Sequence, residues 1–241
     1  MKYAVILAGG SGKRMKSEIP KQFISVSGIP IIVRTIQKII GIDIFDRVII
    51  AIHSDWNDEL LYLINKYKFD KSKIIIVNGG VERIDSIYNA VNHINSSYGI
   101  FESDIILIHD AVRPFITKKI IYDSIEALQL HDAVVASLPV VDTMLWVENA
   151  PFVSSMPIRS KLFHGQAPDS FRLQVLYNAL FNLTSNEKKI ITGTAQICML
   201  KGIEIFTICG DPINIKITTP FDIKLAEYFC SLEVNNESLC S

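Results

Sequence analysis

Residues 2–15 read Lys2-Tyr3-Ala4-Val5-Ile6-Leu7-Ala8-Gly9-Gly10-Ser11-Gly12-Lys13-Arg14-Met15, and the rest of the chain is read from them. A short, nearly unbroken apolar run stops at glycines, and cations follow at once. A run of that length without a small-residue cleavage site is a buried strand, not a signal peptide. Glycines directly after such a strand let the backbone approach a ligand closely, and successive N–H groups can cradle phosphate oxygens. The spacing is neither G-x-x-x-x-G-K-[ST] nor G-x-G-x-x-G, which excludes a P-loop and a dinucleotide fingerprint. Lys13, Arg14 and the later Lys21 suit a triphosphate better than a nicotinamide cofactor.

Working outward, runs rich in β-branched residues recur at Tyr3–Leu7, Val48–Ile52, Ile74–Val77, Ile105–His109 and Ala133–Leu138. Between them lie segments with helical spacing, such as Ile32/Ile36/Ile39, Leu60/Ile64/Tyr67, Ile84/Ile87/Val91/Ile94 and Ile121/Ile125/Leu128. Apolar strands alternating with amphipathic helices predict an α/β, Rossmann-like fold: a mainly parallel sheet flanked by helices. Thr219-Pro220-Phe221-Asp222 marks a helix start, with a capping threonine, proline in the first helical position and an acid in the first turn. The alternation lapses between about 141 and 170, where Pro151, Pro157 and Pro168 fall, so an inserted hairpin or β-arm is expected there. Residues 1–230 then read as one domain that includes the arm, and 231–241 as a flexible tail.

Composition bounds the partners. With 241 residues, 49% of them hydrophobic, the chain can bury a sizeable core. A net charge of -1 gives no reason to expect nucleic acid or a membrane surface, so phosphate binding must come from local cations. No apolar run is long enough to span a bilayer. Cys198, Cys209, Cys230 and Cys240 have neither CxxC spacing nor a companion His cluster, which predicts reduced thiols in a cytoplasm, without structural zinc.

Four later segments add chemistry. Gly79-Gly80-Val81-Glu82-Arg83-Ile84-Asp85-Ser86 follows a predicted strand, and its paired glycines open a helix whose N–H groups can hold a base, a ribose or a phosphate. In His109-Asp110-Ala111-Val112-Arg113-Pro114 a carboxylate stands at a strand's C-terminal end, where open α/β sheets bind ligands. Asp110 is placed to hold Mg²⁺ against phosphates. Arg113 can pair with a substrate phosphate or with a structural acid, and His109 reads as a packing histidine. Arg159 on the arm is a candidate grip for an anionic substrate. In Asn214-Ile215-Lys216-Ile217-Thr218-Thr219-Pro220, Lys216 is read as a strand residue that either faces solvent or enters the site.

These segments, in this order, resemble the cytidylyltransferases that act on 2-C-methyl-D-erythritol 4-phosphate and on ribitol 5-phosphate, over Lys2 to Phe229. The resemblance implies CTP as co-substrate, Mg²⁺ as metal and a homodimer joined through the arm. It also implies catalytic roles for Arg14, Lys21 and Lys216. Leu7, Ala8, Gly9, Gly10, Gly12, Gly80, Ser86 and Asp110 become CTP contacts, and Arg113, Thr143, Arg159 and Thr192 substrate contacts, with Arg159 reaching the partner's substrate. The acceptor expected from the residues is ribitol 5-phosphate or a similar pentitol phosphate, with methylerythritol phosphate as the alternative. Gly193 and Ala167 replace a usual aspartate and threonine, and loss of an acid from a polyol pocket alters substrate discrimination. A CTP-binding homologue without activity, and a transferase using UTP or GTP, are the remaining alternatives.

Overall fold

Strand β1 (Lys2–Leu7) is covered on both faces, and its alternation sets the layering. Ala4 and Ile6 pack into one apolar cluster, Tyr3 and Val5 into another on the opposite side. Strand β4 (Arg47–Ile52) repeats the pattern, with Val48, Ile50 and Ile52 on the first face and Ile49 on the second. Period-2 alternation with apolar residues on both sides leaves neither face for water, so helices must cover both.

This computed structural model describes residues 1–10 and 19–238, with side chains as far as residue 232. The remaining strands are β2 (Ser25–Val26), β3 (Ile29–Pro30), β5 (Ile74–Asn78), β6 (Ile105–Asp110), β7 (Ala133–Pro139), β8 (Phe163–Arg172) and β9 (Phe206–Cys209). Helices α1 (Ile31–Ile40), α2 (Asn57–Lys66) and α4 (Lys118–Ala127) close the first face. Helices α3 (Arg83–Tyr98), α5 (Leu173–Phe181) and α7 (Thr194–Leu200) close the second, and α6 (Ser185–Ile190) joins the last two. Helix α8 (Pro220–Ser238) packs with Val26 and Val112 in a smaller cluster. Its start is capped as the sequence predicts: Thr219 N–H donates to Asp222 Oδ2 (2.8 Å) and Asp222 N–H to Thr219 Oγ1 (3.3 Å). The helix runs past residue 230, where the sequence reading ended the domain.

The main sheet has seven strands in the order β5-β4-β1-β6-β8-β7-β9. Only β8 runs antiparallel to its neighbours, so the predicted mainly parallel α/β architecture is observed. The chain leaves β1 toward β4 and β5 and then crosses back to β6 on the other side. The ends of β1 and β6 therefore flank a topological switch point, where such sheets take ligands.

Two expectations are corrected. Residues 163–170, read as part of the arm, lie in β8, an inner strand between β6 and β7; the extension outside the sheet is 140–162, with one antiparallel bridge, Trp146–Ser155. The segment around Lys216 is not a strand, since residues 210–218 form no ladder with any neighbour. Among the described residues Cys198 and Cys209 are unbridged, and no helix is long and apolar enough to cross a membrane.

Candidate active site

Two glycine turns, after β1 and after β5, meet beside the switch point. Ala8 leaves β1 with its N–H donating to Ala51 O (2.8 Å), and Gly79 leaves β5 with its N–H donating to Ile52 O (2.6 Å). Ser86, in the first turn of α3, stands between them. Its Oγ accepts from Gly80 N–H (3.0 Å), and a Cβ added to Gly9 would meet that oxygen at 3.2 Å. Gly80 has no alternative at all, because a Cβ there would lie 1.9 Å from Asp85 Cβ. Glu82 and Asp85 form the capping box of α3, which fixes Asp85 in that position.

Lys21 enters the same cleft from a single 3-10 turn, Lys21–Phe23. Buried Gln22 donates from Nε2 to Ala8 O (2.6 Å), and Phe23 packs on Trp56 with ring centroids 5.2 Å apart. The turn that carries the cation is thereby bonded to the glycine loop itself. Gln22 carries no role in the reading of the sequence; its signal is its place beside Lys21.

Asp110 ends β6 almost fully buried among three cations. Arg83 Nη1 bonds Oδ1, while Lys216 Nζ (3.0 Å) and Arg113 Nε (3.3 Å) approach Oδ2. Burial alone would push the Asp110 carboxyl up. The Arg83 and Lys216 charges, the Arg83 hydrogen bond and Arg113 instead hold it far below the usual carboxylate range. A second acid, Asp169 on β8, shares this face of the sheet: it pairs with Ile108, two residues before Asp110. Burial pushes its carboxyl up to about 6, against the pull of the Arg83 charge. His109 points the other way, fully buried, with Nε2 bonded to Arg113 O (2.9 Å); burial lowers its pKa to about 4 and keeps it neutral. It is the packing histidine the sequence suggests.

The cleft thus gathers Leu7, Ala8, Gly9, Gly10, Lys21, Gly80, Ser86, Asp110 and Lys216 from the residues singled out by sequence. It adds Arg83, which the sequence reading quoted without a role. Arg14 and Gly12 lie outside the described residues. Arg113 does not line the cleft: its guanidinium is engaged by Asp110 and by Asn214 O (2.8 Å), the structural-acid pairing that the sequence left open beside a substrate phosphate. Thr143 and Arg159 are exposed on the extension, and Arg159 donates to Val141 O (3.1 Å). Thr192 is exposed ahead of α7 and bonds Gln196. None of these three lines the cleft of its own chain.

Among the described residues no group of three or more His, Cys, Asp or Glu side chains is placed to hold a metal ion. Asp110 is one deeply ionised carboxylate at the cleft floor, flanked by cations. Such a donor set fits only a cation that arrives with its own phosphate oxygens, as Mg²⁺ does with a nucleotide.

The family model for 2-C-methyl-D-erythritol 4-phosphate cytidylyltransferase (IspD) matches residues 2–231. The crystal structure of the Francisella tularensis enzyme of that name is 29% identical, covers 94% of this chain and 98% of that one, and superposes with a TM-score of 0.79. The 4-diphosphocytidyl-2C-methyl-D-erythritol synthase of Anaerococcus prevotii is 22% identical, with 96% and 98% covered and a TM-score of 0.78, a likeness of fold. The Thermus thermophilus structure gives 23%, 95%, 98% and 0.73.

Proposed function

The chain belongs to the 2-C-methyl-D-erythritol 4-phosphate cytidylyltransferase family and is a nucleotidyltransferase that uses CTP; from that premise we propose that its acceptor is 2-C-methyl-D-erythritol 4-phosphate. The description of the matched family and the name of its 29%-identical relative support this acceptor over the ribitol 5-phosphate that the residues alone favoured. The departures at Gly193 and Ala167 touch neither glycine turn nor Asp110, since neither residue lines the cleft.

The observation that carries the reading is the convergence of Arg83 and Lys216 on Asp110 in a cleft that Lys21 and two glycine turns also line. A phosphate monoester is already anionic near neutral pH, its second pKa being about 6. It attacks without a general base. An oxygen of the acceptor phosphate forms the new bond to the CTP α-phosphorus, the bond from that phosphorus to the bridging oxygen breaks, and pyrophosphate leaves with the electron pair. Two polyanions must meet in line, so catalysis is positioning and charge stabilisation. Backbone N–H groups at Gly9 and Gly10, with the Ser86 hydroxyl, hold the nucleotide, while the Ala8 and Gly80 N–H groups are spent on Ala51 O and Ser86 Oγ and shape the two turns. Lys21, with Arg14, steadies the charge on the α-phosphate and the leaving group. Lys216 steadies the acceptor phosphate, and Arg113 acts through Asp110. Asp110 would be the protein ligand of Mg²⁺, which when bound neutralises triphosphate charge.

The extension supplies the rest in this reading. Val141, Trp146, Phe152, Met156 and Ile158 are all exposed on it, Phe152 at 78%. Apolar side chains clustered on so short a stretch suit burial against a second copy, which would bring Thr143 and Arg159 of one protomer to the cleft of the other. Pyrophosphate release with CTP and each of 2-C-methyl-D-erythritol 4-phosphate and ribitol 5-phosphate tests the acceptor. A higher kcat/KM for the ribitol compound would reverse the assignment.

A further inference from the structure

Lys216 reaches the cleft on a segment with no regular secondary structure. A cation on such a segment keeps its position only if the backbone around it is tied to something rigid. The ties are few. Gln166 of β8 clamps Asp211 from both sides, Nε2 donating to Asp211 O (3.0 Å) and Asp211 N–H donating to Oε1 (3.1 Å). Ile217 N–H donates to Val112 O (2.9 Å). Between these anchors stands Asn214, fully buried, with Nδ2 donating to Ala167 O (2.7 Å) and its own carbonyl accepting from Arg113 Nη1 (2.8 Å).

The Ala167 carbonyl is free to accept because β8 is bulged at that point. The register with β7 runs from Val135–Asp169 to Ala136–Gln166, skipping residues 167 and 168, and β6 pairs with β8 no further than Ile108–Asp169. A bulge of this kind re-aims a backbone group away from the ladder. Asn214 Oδ1 is buried without a hydrogen-bond partner among the described residues. An unmade bond of that kind is costly, so the amide is not there to stabilise packing alone.

We propose that Asn214 is a positioning residue for cytidylyl transfer: its buried amide fixes the Lys216 segment to the bulge of β8 and, through Arg113, sets where Asp110 and Lys216 stand. Asn214 touches no substrate. It is the junction between the strand that follows the extension and the cation end of the cleft. The inference rests on the proposed reaction at this site.

Pyrophosphate release from CTP and 2-C-methyl-D-erythritol 4-phosphate is measured for the wild type, Asn214→Ala and Gln166→Leu, with thermal unfolding of each. Asn214→Ala is expected to lower kcat about 100-fold, the loss that follows when a catalytic group is misplaced by about 1 Å. Its KM for CTP is expected to stay within about tenfold, because the glycine turns share no partner with Asn214. A lower Tm with kcat unchanged would assign Asn214 a purely structural role and overturn the inference. If Asn214→Ala shows no cooperative unfolding, Gln166→Leu decides. A fall in kcat of about tenfold supports the inference, and a kcat within about twofold of the wild type overturns it. A wild type inactive with this acceptor removes the premise and the inference together; an active wild type beside an unaffected Asn214→Ala removes the inference alone.

Discussion

Lys21 has the simplest sequence signature of the cleft residues and the most specific support. Its 3-10 turn is bonded to Ala8 through Gln22 and packed on Trp56 through Phe23. Truncating the side chain removes a charge without disturbing either anchor. Lys21→Ala is expected to lose about 10²–10³-fold in kcat, the range for deleting one donor to a developing charge, with unchanged thermal unfolding. Activity within about tenfold of the wild type would remove Lys21 from the machinery. Asp169 gives a prediction of opposite kind. Its carboxyl titrates near 6 in the folded chain, above the ordinary value of 3.8, so it favours folding in its protonated form. That contribution is complete below the ordinary carboxylate pKa and is lost as the pH rises through about 6. Relative to Asp169→Asn, the wild-type Tm should therefore fall as the pH is raised from 4 to 7.5; a constant difference would contradict the assignment. No motif in the sequence pointed to Asp169, because its environment comes from Arg83 and Asp110 on other elements.

At the scale of elements, the first glycine turn and the start of α3 were legible for a physical reason: glycine at a strand end is a local requirement. Gly80→Ala forces the Cβ of residue 80 into Asp85, so the first turn of α3, with Ser86 and Arg83 on it, has to move. The expected result is CTP binding weakened at least about tenfold, roughly 1.4 kcal/mol, read by calorimetry. Affinity equal to the wild type would mean that α3 does not hold the nucleotide. The parallel strands β1, β4, β5, β6 and β7, with α1 to α4, were legible because both faces of each strand and one face of each helix are apolar. Strand β8 was not. Its sequence, Phe163-His164-Gly165-Gln166-Ala167-Pro168-Asp169-Ser170-Phe171-Arg172, has weak alternation and a proline, and it is a strand because β6 and β7 leave a slot between them. The Lys216 segment erred in the other direction: Ile215 and Ile217 alternate about the lysine, yet no neighbouring strand offers a ladder.

At the scale of the molecule, the extension 140–162 leaves the sheet with its apolar side chains in solvent, and Arg159 lies outside its own chain's cleft. If a second copy covers it, two defects in different protomers should complement. Lys21→Ala and Arg159→Ala, each inactive alone, are expected to regain activity when unfolded together and refolded as a mixture, since one of the two clefts in a mixed dimer carries neither defect. A mixture as inactive as its components, or a monomer by light scattering, would exclude a shared site. The amino-acid sequence by itself determined the alternation that makes a doubly covered parallel sheet, the glycine turns, the cations near them and the family they resemble. These depend on neighbours in sequence, where side-chain period and backbone freedom act directly. The tertiary structure alone decided that β8 enters the sheet, that Asp110 is ringed by Arg83, Arg113 and Lys216, and that Asn214 ties their loop to a bulge. Those contacts join residues as far apart as Arg113 and Asn214, and which distant groups meet is set by the packing of the whole sheet, not by any local pattern.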